Sequence, residues 1–151
     1  VRTLLEMFPD AKFVHIVRDP YKLFQSTVNL WKSLNEVQRL QGLGEQEWIE
    51  EYVLSSHETM YAAFDRDRQL LGENQLVELH YEDLIDRPKD ALRDVYEQLE
   101  LGDFARVESP VEQHLAEVKN YRSNRYDLSD DKREMVRRRW SGYFDRYGYN
   151  E

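Results

Sequence analysis

Arg18 closes an apolar run, Phe13-Val14-His15-Ile16-Val17, and is followed at once by Asp19-Pro20. A guanidinium at that place is chemically suited to a terminal phosphate, because it forks bidentately onto two oxygens and stays charged at any working pH. Ser26 stands seven residues beyond Asp19, about two helical turns, and so shares the helix face on which Asp19 begins. Its hydroxyl can supply a second contact. The same residues admit a plainer reading, in which Arg18 pairs with Asp19 or a neighbouring carboxylate and Ser26 bonds back to the carbonyl of Lys22.

Two further groups have types suited to chemistry. Tyr81 ends a second strand-like run, Leu76-Val77-Glu78-Leu79-His80-Tyr81, and precedes Glu82-Asp83. It is either a ligand-facing ring or a strand-end core aromatic whose acidic neighbours cap the next turn. Lys119, Arg122 and Arg125 form a basic island with no acid between them, among Asn120, Tyr121 and Asn124. Such a loop either closes over an anion or is an ordinary solvated loop. The four histidines, His15, His57, His80 and His114, have no metal-ligand spacing. His15, in mid-strand, reads as a satisfied buried histidine.

Composition bounds these options. The 151 residues are 40% hydrophobic and 34% charged, which suits a folded globular chain. A formal net charge of -9 argues against wrapping a nucleic-acid backbone, although a nucleotide-sized anion needs only a local basic pocket. No apolar run approaches the roughly 20 residues of a membrane-spanning helix. The absence of cysteine excludes disulfides, thiolate zinc sites and thiol nucleophiles without fixing the compartment.

The elements that must position these residues follow from pattern. Val1 to Met7 reads as the end of a helix closed by the Pro9-Asp10 turn. The Phe13–Val17 run has the character of a strand covered on both faces in a parallel sheet. Asp19 as N-cap and Pro20 at the first helical position open a helix with Leu23, Phe24, Val28, Leu30, Trp31 and Leu34 on its stripe. Glu45 to Leu71 continues as one long helix or two, with Gly72 as a C-cap. Pro88 opens a helix lined by Ala91, Leu92, Val95, Tyr96 and Leu99 and stopped near Gly102. A helix over Val111 to Val118, a loop to Leu128 and a last helix capped by Ser129 complete the chain. In that last helix Asp130 and Asp131 precede Arg133, Arg137, Arg138 and Arg139, which complements the helix dipole and reads as a solvated face over a packed stripe. Strands followed by helices predict an α/β fold with parallel strands, and two strands are too narrow a sheet to stand alone.

The run Phe8-Pro9-Asp10-Ala11-Lys12-Phe13-Val14-His15-Ile16-Val17-Arg18-Asp19-Pro20-Tyr21, with Ser26 eight residues after Arg18, resembles the 3'-phosphate-binding segment of sulfotransferases that use 3'-phosphoadenosine 5'-phosphosulfate (PAPS). Leu79-His80-Tyr81-Glu82-Asp83-Leu84, followed by Arg87-Pro88, is similar to the Tyr-Glu-Asp-Leu segment of the same family. The two motifs cover the chain to about Leu101 in the expected order. The resemblance implies that Arg18 and Ser26 hold the cofactor's 3'-phosphate, that Tyr81 lies near the adenine, and that Arg122 and Arg125 are further cofactor contacts. The Arg-Lys-Gly loop of many animal and plant members is missing, so the basic island looks more like that of bacterial or protein-modifying relatives.

The resemblance also implies a P-loop NTPase-like three-layer fold, of which residues 1–151 form a single, helix-rich, carboxy-terminal domain portion with about two core strands. It further implies sulfuryl transfer to a hydroxyl or amine on a small-molecule, carbohydrate or protein acceptor, with no metal required. The product would be adenosine 3',5'-bisphosphate. The chain opens on Val1 and contains no Gly-x-x-x-x-Gly-Lys-Ser/Thr pattern, so the 5'-phosphosulfate loop and the catalytic base are expected upstream, with this portion inactive alone. Two rivals stand beside this reading: a non-catalytic α/β module binding a nucleotide or another anionic partner, and a P-loop kinase-like phosphotransferase.

Overall fold

Residues 1–38, 48–118 and 127–149 are described by a computed structural model. Their elements run α1 (Arg2–Met7), β1 (Phe13–Val17), α2 (Pro20–Gln38), α3 (Trp48–Asp67), a 3₁₀ turn (Arg68–Leu70), β2 (Leu76–His80), α4 (Tyr81–Asp86), α5 (Pro88–Gln98), α6 (Ala105–Glu117), α7 (Asp130–Arg139) and α8 (Ser141–Tyr147). The chain divides into two compact units. One holds Val1–Arg18 and Phe64–Ser123, the other Asp19–Ala63 and Asn124–Glu151.

In the first unit β1 and β2 pair in parallel, with Val14 opposite Val77, Ile16 opposite Leu79 and Val17 opposite His80. Alternation along β2 buries Val77 and Leu79, which pack with Ala91, Val95 and Leu99 from the α5 stripe, and Leu84 of α4 joins them. The helix cover rests on β2. Among the described residues Val14 and Ile16 of β1 are 47% and 50% exposed.

Four boundaries differ from the sequence pattern. α3 ends at Asp67 and passes through the 3₁₀ turn into an extended Leu71, so Gly72 is not a left-handed cap. α5 ends at Gln98, with Leu99 as its C-cap and Glu100 turning the chain before Gly102 is reached. Glu100 adopts φ 52°, its N–H donates to the Glu97 carbonyl at 3.2 Å, and the Leu101 N–H donates to the Tyr96 carbonyl at 2.9 Å. These bonds form a Schellman motif without glycine at its left-handed position. α6 starts at Ala105, not Val111, and runs through Pro110. Asp103 Oδ1 accepts the Ala105 N–H, and Lys89 and Arg93 of α5 pair with Glu108 before the proline.

The fourth difference lies in the second unit, where the last helix is two, α7 and α8, broken at Trp140 (φ -105°, ψ 24°). Ser129 occupies the N-cap position without a side-chain capping bond. The break lets Val136 of α7, Trp140 at the junction and Tyr143, Phe144 and Tyr147 of α8 all be buried. Trp140 stacks on His57 of α3 at 3.8 Å between centroids, lies edge-on to Phe24 of α2 at 5.9 Å, and donates from Nε1 to the Leu54 carbonyl at 3.2 Å. Arg139 is not merely part of a solvated face. It donates to both Glu51 and Glu58 of α3 with four bonds of 2.6–3.0 Å. No helix among the described residues is long and apolar enough to cross a membrane.

Candidate functional site

Parallel register decides what meets at the carboxyl ends of the strands. Val17 is opposite His80, so the next residue of each strand, Arg18 and Tyr81, emerges at the same end of the pair. The guanidinium carbon of Arg18 sits 4.4 Å from the Tyr81 ring centroid, and both residues are half-buried. This is a cation–π contact, which restrains a long side chain. In open α/β sheets this strand end is where ligands bind.

Just beyond Arg18, Asp19 caps α2 as its type predicts. Its Oδ1 accepts the backbone N–H groups of Tyr21 at 2.9 Å and Lys22 at 3.3 Å, and Lys22 Nζ lies 3.6 Å from Oδ2. Ser26 lies within α2, in the second unit, whereas Arg18 and Tyr81 belong to the first. Thr27 returns its hydroxyl to the helix, donating to the Leu23 carbonyl at 2.8 Å. The Ser26 hydroxyl has no side-chain hydrogen bond among the described residues, so its bond back to Lys22 is not formed. Lys119, Arg122 and Arg125 lie outside the described residues.

His15 is a paired structural group. Its Nδ1 is 3.3 Å from Glu78 Oε1, its ring is 4.5 Å from that of Phe64, and Arg68 forks onto the same Glu78 at 2.7 and 3.3 Å. Among the described residues no group of His, Asp or Glu is arranged to hold a metal ion. Asp83 pairs with Arg87, which also reaches Asp94, and these bonds raise the guanidinium's pKa further. Asp83 thus helps to secure α4 to α5 through Arg87.

A site the sequence did not suggest lies in the second unit, where Tyr21, Phe144 and Tyr149 face a cleft with Arg133 beside them. Its residues are spread from position 19 to 149, and of them Asp19, Pro20 and Tyr21 belong to a recognised motif.

A parallel strand pair with an Arg and a Tyr at adjoining carboxyl ends, backed by helices, is an α/β arrangement of the kind that receives ligands at its strand ends. The family model described as the sulfotransferase family matches residues 1–105, and the chain belongs to that family. It is 40% identical to the omega-hydroxy-beta-dihydromenaquinone-9 sulfotransferases of Mycobacterium bovis and Mycobacterium tuberculosis, over 99% of this chain and 38% of theirs. The chain therefore spans little more than a third of the curated relatives it matches. A crystal structure of a sulfotransferase from Mycobacterium avium shares the fold, with a TM-score of 0.77 and 24% identity over 95% of this chain and 38% of that one.

Proposed function

We propose that these residues supply the 3'-phosphate and adenine side of a PAPS site, in a whole protein that transfers a sulfuryl group to a hydroxyl or amine acceptor. The observation that carries this reading is the Arg18–Tyr81 contact at the strand ends. PAPS, when bound, provides the sulfuryl group and leaves as adenosine 3',5'-bisphosphate. Arg18 binds the 3'-phosphate through its guanidinium fork. Ser26 is assigned to the same phosphate from the sequence alone. Tyr81 keeps Arg18 in place with one ring face and offers the other to the adenine. Arg122 and Arg125 are assigned to the same cofactor from the sequence alone.

Binding of the remote 3'-phosphate contributes orientation: a donor fixed at its nucleotide end presents its sulfur in line with the acceptor. We infer further that the acceptor is a hydroxyl on a lipophilic small molecule, which the name of the 40%-identical mycobacterial relatives supports. The test is calorimetric titration of the whole protein with adenosine 3',5'-bisphosphate, followed by an assay of labelled sulfuryl transfer from PAPS. Saturable binding with transfer is expected. Binding without transfer favours an anion-binding module, and failure to bind removes the cofactor assignment.

A further inference from the structure

The second unit contains a cleft of about 420 Å³ lined by Asp19, Pro20 and Tyr21 at the start of α2, Arg133 of α7, Phe144 of α8 and Tyr149 beyond it. We propose that this cleft is a binding site for a small aromatic carboxylate, a single ring bearing one carboxyl group. Its size falls near the lower end of small-ligand pockets.

The walls are rings in fixed positions. Tyr21 and Phe144 meet edge to face, 5.1 Å between centroids at 63°. Gly148 takes φ 74°, a left-handed conformation that turns the chain at the end of α8, and the Tyr149 N–H then donates to the Phe144 carbonyl at 3.1 Å. Tyr149 also lies parallel to Tyr143, at 2° and 6.1 Å. Ring-lined walls held this way accept a planar ring by offset or edge contact with little ordering cost.

The charge is Arg133. Its guanidinium carbon stands 4.1 Å above the Tyr21 ring, which orients the plane of the fork. Of the other arginines of α7, Arg137 pairs with Asp145 at 3.6 Å and Arg139 with Glu51 and Glu58. Among the described residues Arg133 has no carboxylate within ion-pair range. A carboxylate on the ligand fits the fork bidentately. The one acid of the cleft, Asp19, already accepts two backbone N–H groups and faces Lys22, so its repulsion of an anion is reduced. A ring without charge would leave Arg133 unused, and an anion without a ring would leave the aromatic walls wet.

Calorimetric titration of the protein with 4-hydroxybenzoate tests the assignment, with cyclohexanecarboxylate and phenol as comparison ligands. Saturable binding of 4-hydroxybenzoate, weaker for either comparison ligand, is expected. The exposed Arg133→Gln substitution should weaken that binding by about tenfold or more, the loss of a charge-assisted contact, and Tyr21→Leu should also weaken it. No saturable binding at millimolar ligand overturns the proposal. Equal binding of cyclohexanecarboxylate, or an Arg133→Gln protein that is folded by circular dichroism and binds unchanged, overturns it too.

Discussion

The guanidinium of Arg18 lies over the ring of Tyr81, 4.4 Å from its centroid, although 63 positions separate the two residues in sequence. Strand register produces this proximity. Each residue is the first after its strand, and the strands are parallel and in step at Val17 and His80. A one-residue slip would carry the two away from each other and turn Val77 and Leu79 out of the core. The packing of β2 on α5 therefore also fixes the strand-end geometry.

The first prediction concerns that pair. On the proposed reading, Arg18→Ala weakens adenosine 3',5'-bisphosphate binding by about 1.5–3 kcal/mol, the value of a hydrogen bond to a charged group. Tyr81→Leu removes the cation–π restraint and costs less, about 0.5–1 kcal/mol from that contact. Calorimetry on the whole protein measures both, and an unchanged affinity in Arg18→Ala takes Arg18 out of the site.

Much of this arrangement was legible in the sequence, for identifiable reasons. The Phe13–Val17 run and Asp19-Pro20 are local signals, and both elements form where their residue types place them. Pro88 and the Ala91, Val95 and Leu99 spacing did the same for α5. The features that escaped depend on partners far away in the chain. α6 runs through Pro110 and is tied by ion pairs to α5. The break at Trp140 reflects rings on α2 and α3 that no local pattern encodes. Arg133 and Tyr149 join Tyr21 only through packing.

The second prediction is a loss of stability in acid that depends on Arg139. Its hydrogen bonds hold the carboxyls of Glu58 and Glu51 below the ordinary glutamate value, against the opposing effect of burial. Carboxyls depressed in the folded state contribute stability that is present above their unfolded pKa and is lost as pH falls through their folded pKa. Thermal denaturation should therefore show the wild-type protein losing its advantage over the Glu51→Gln/Glu58→Gln double variant as pH drops below about 4.5. Curves that remain parallel from neutral pH to pH 3 would show that the clamp contributes no linked stability.

The third prediction concerns the core that sets the register. Leu99 is 1% exposed and packs with Val77, Leu79, Ala91 and Val95. Leu99→Ala should cost about 2–5 kcal/mol through lost transfer energy and the cavity left behind. Urea denaturation checks the size, and a loss under about 1 kcal/mol would mean that the site collapses around the smaller side chain.

The last prediction uses the one described non-glycine residue with positive φ, Glu100. Its backbone is needed there because the left-handed step aligns the Glu100 and Leu101 N–H groups with the carbonyls of Glu97 and Tyr96. Its side chain is exposed and has no described contact in the helix end. An L-residue in this conformation carries a steric cost of roughly 1–2 kcal/mol that glycine avoids. Glycine also has more freedom to lose from the unfolded chain, which offsets part of the gain. Glu100→Gly should therefore stabilise the protein by about 0.5–1 kcal/mol, whereas Glu100→Val, branched at Cβ, should destabilise it. Urea midpoints of the two variants decide the matter: a lower midpoint for Glu100→Gly would place the cost of ending α5 elsewhere than in this residue.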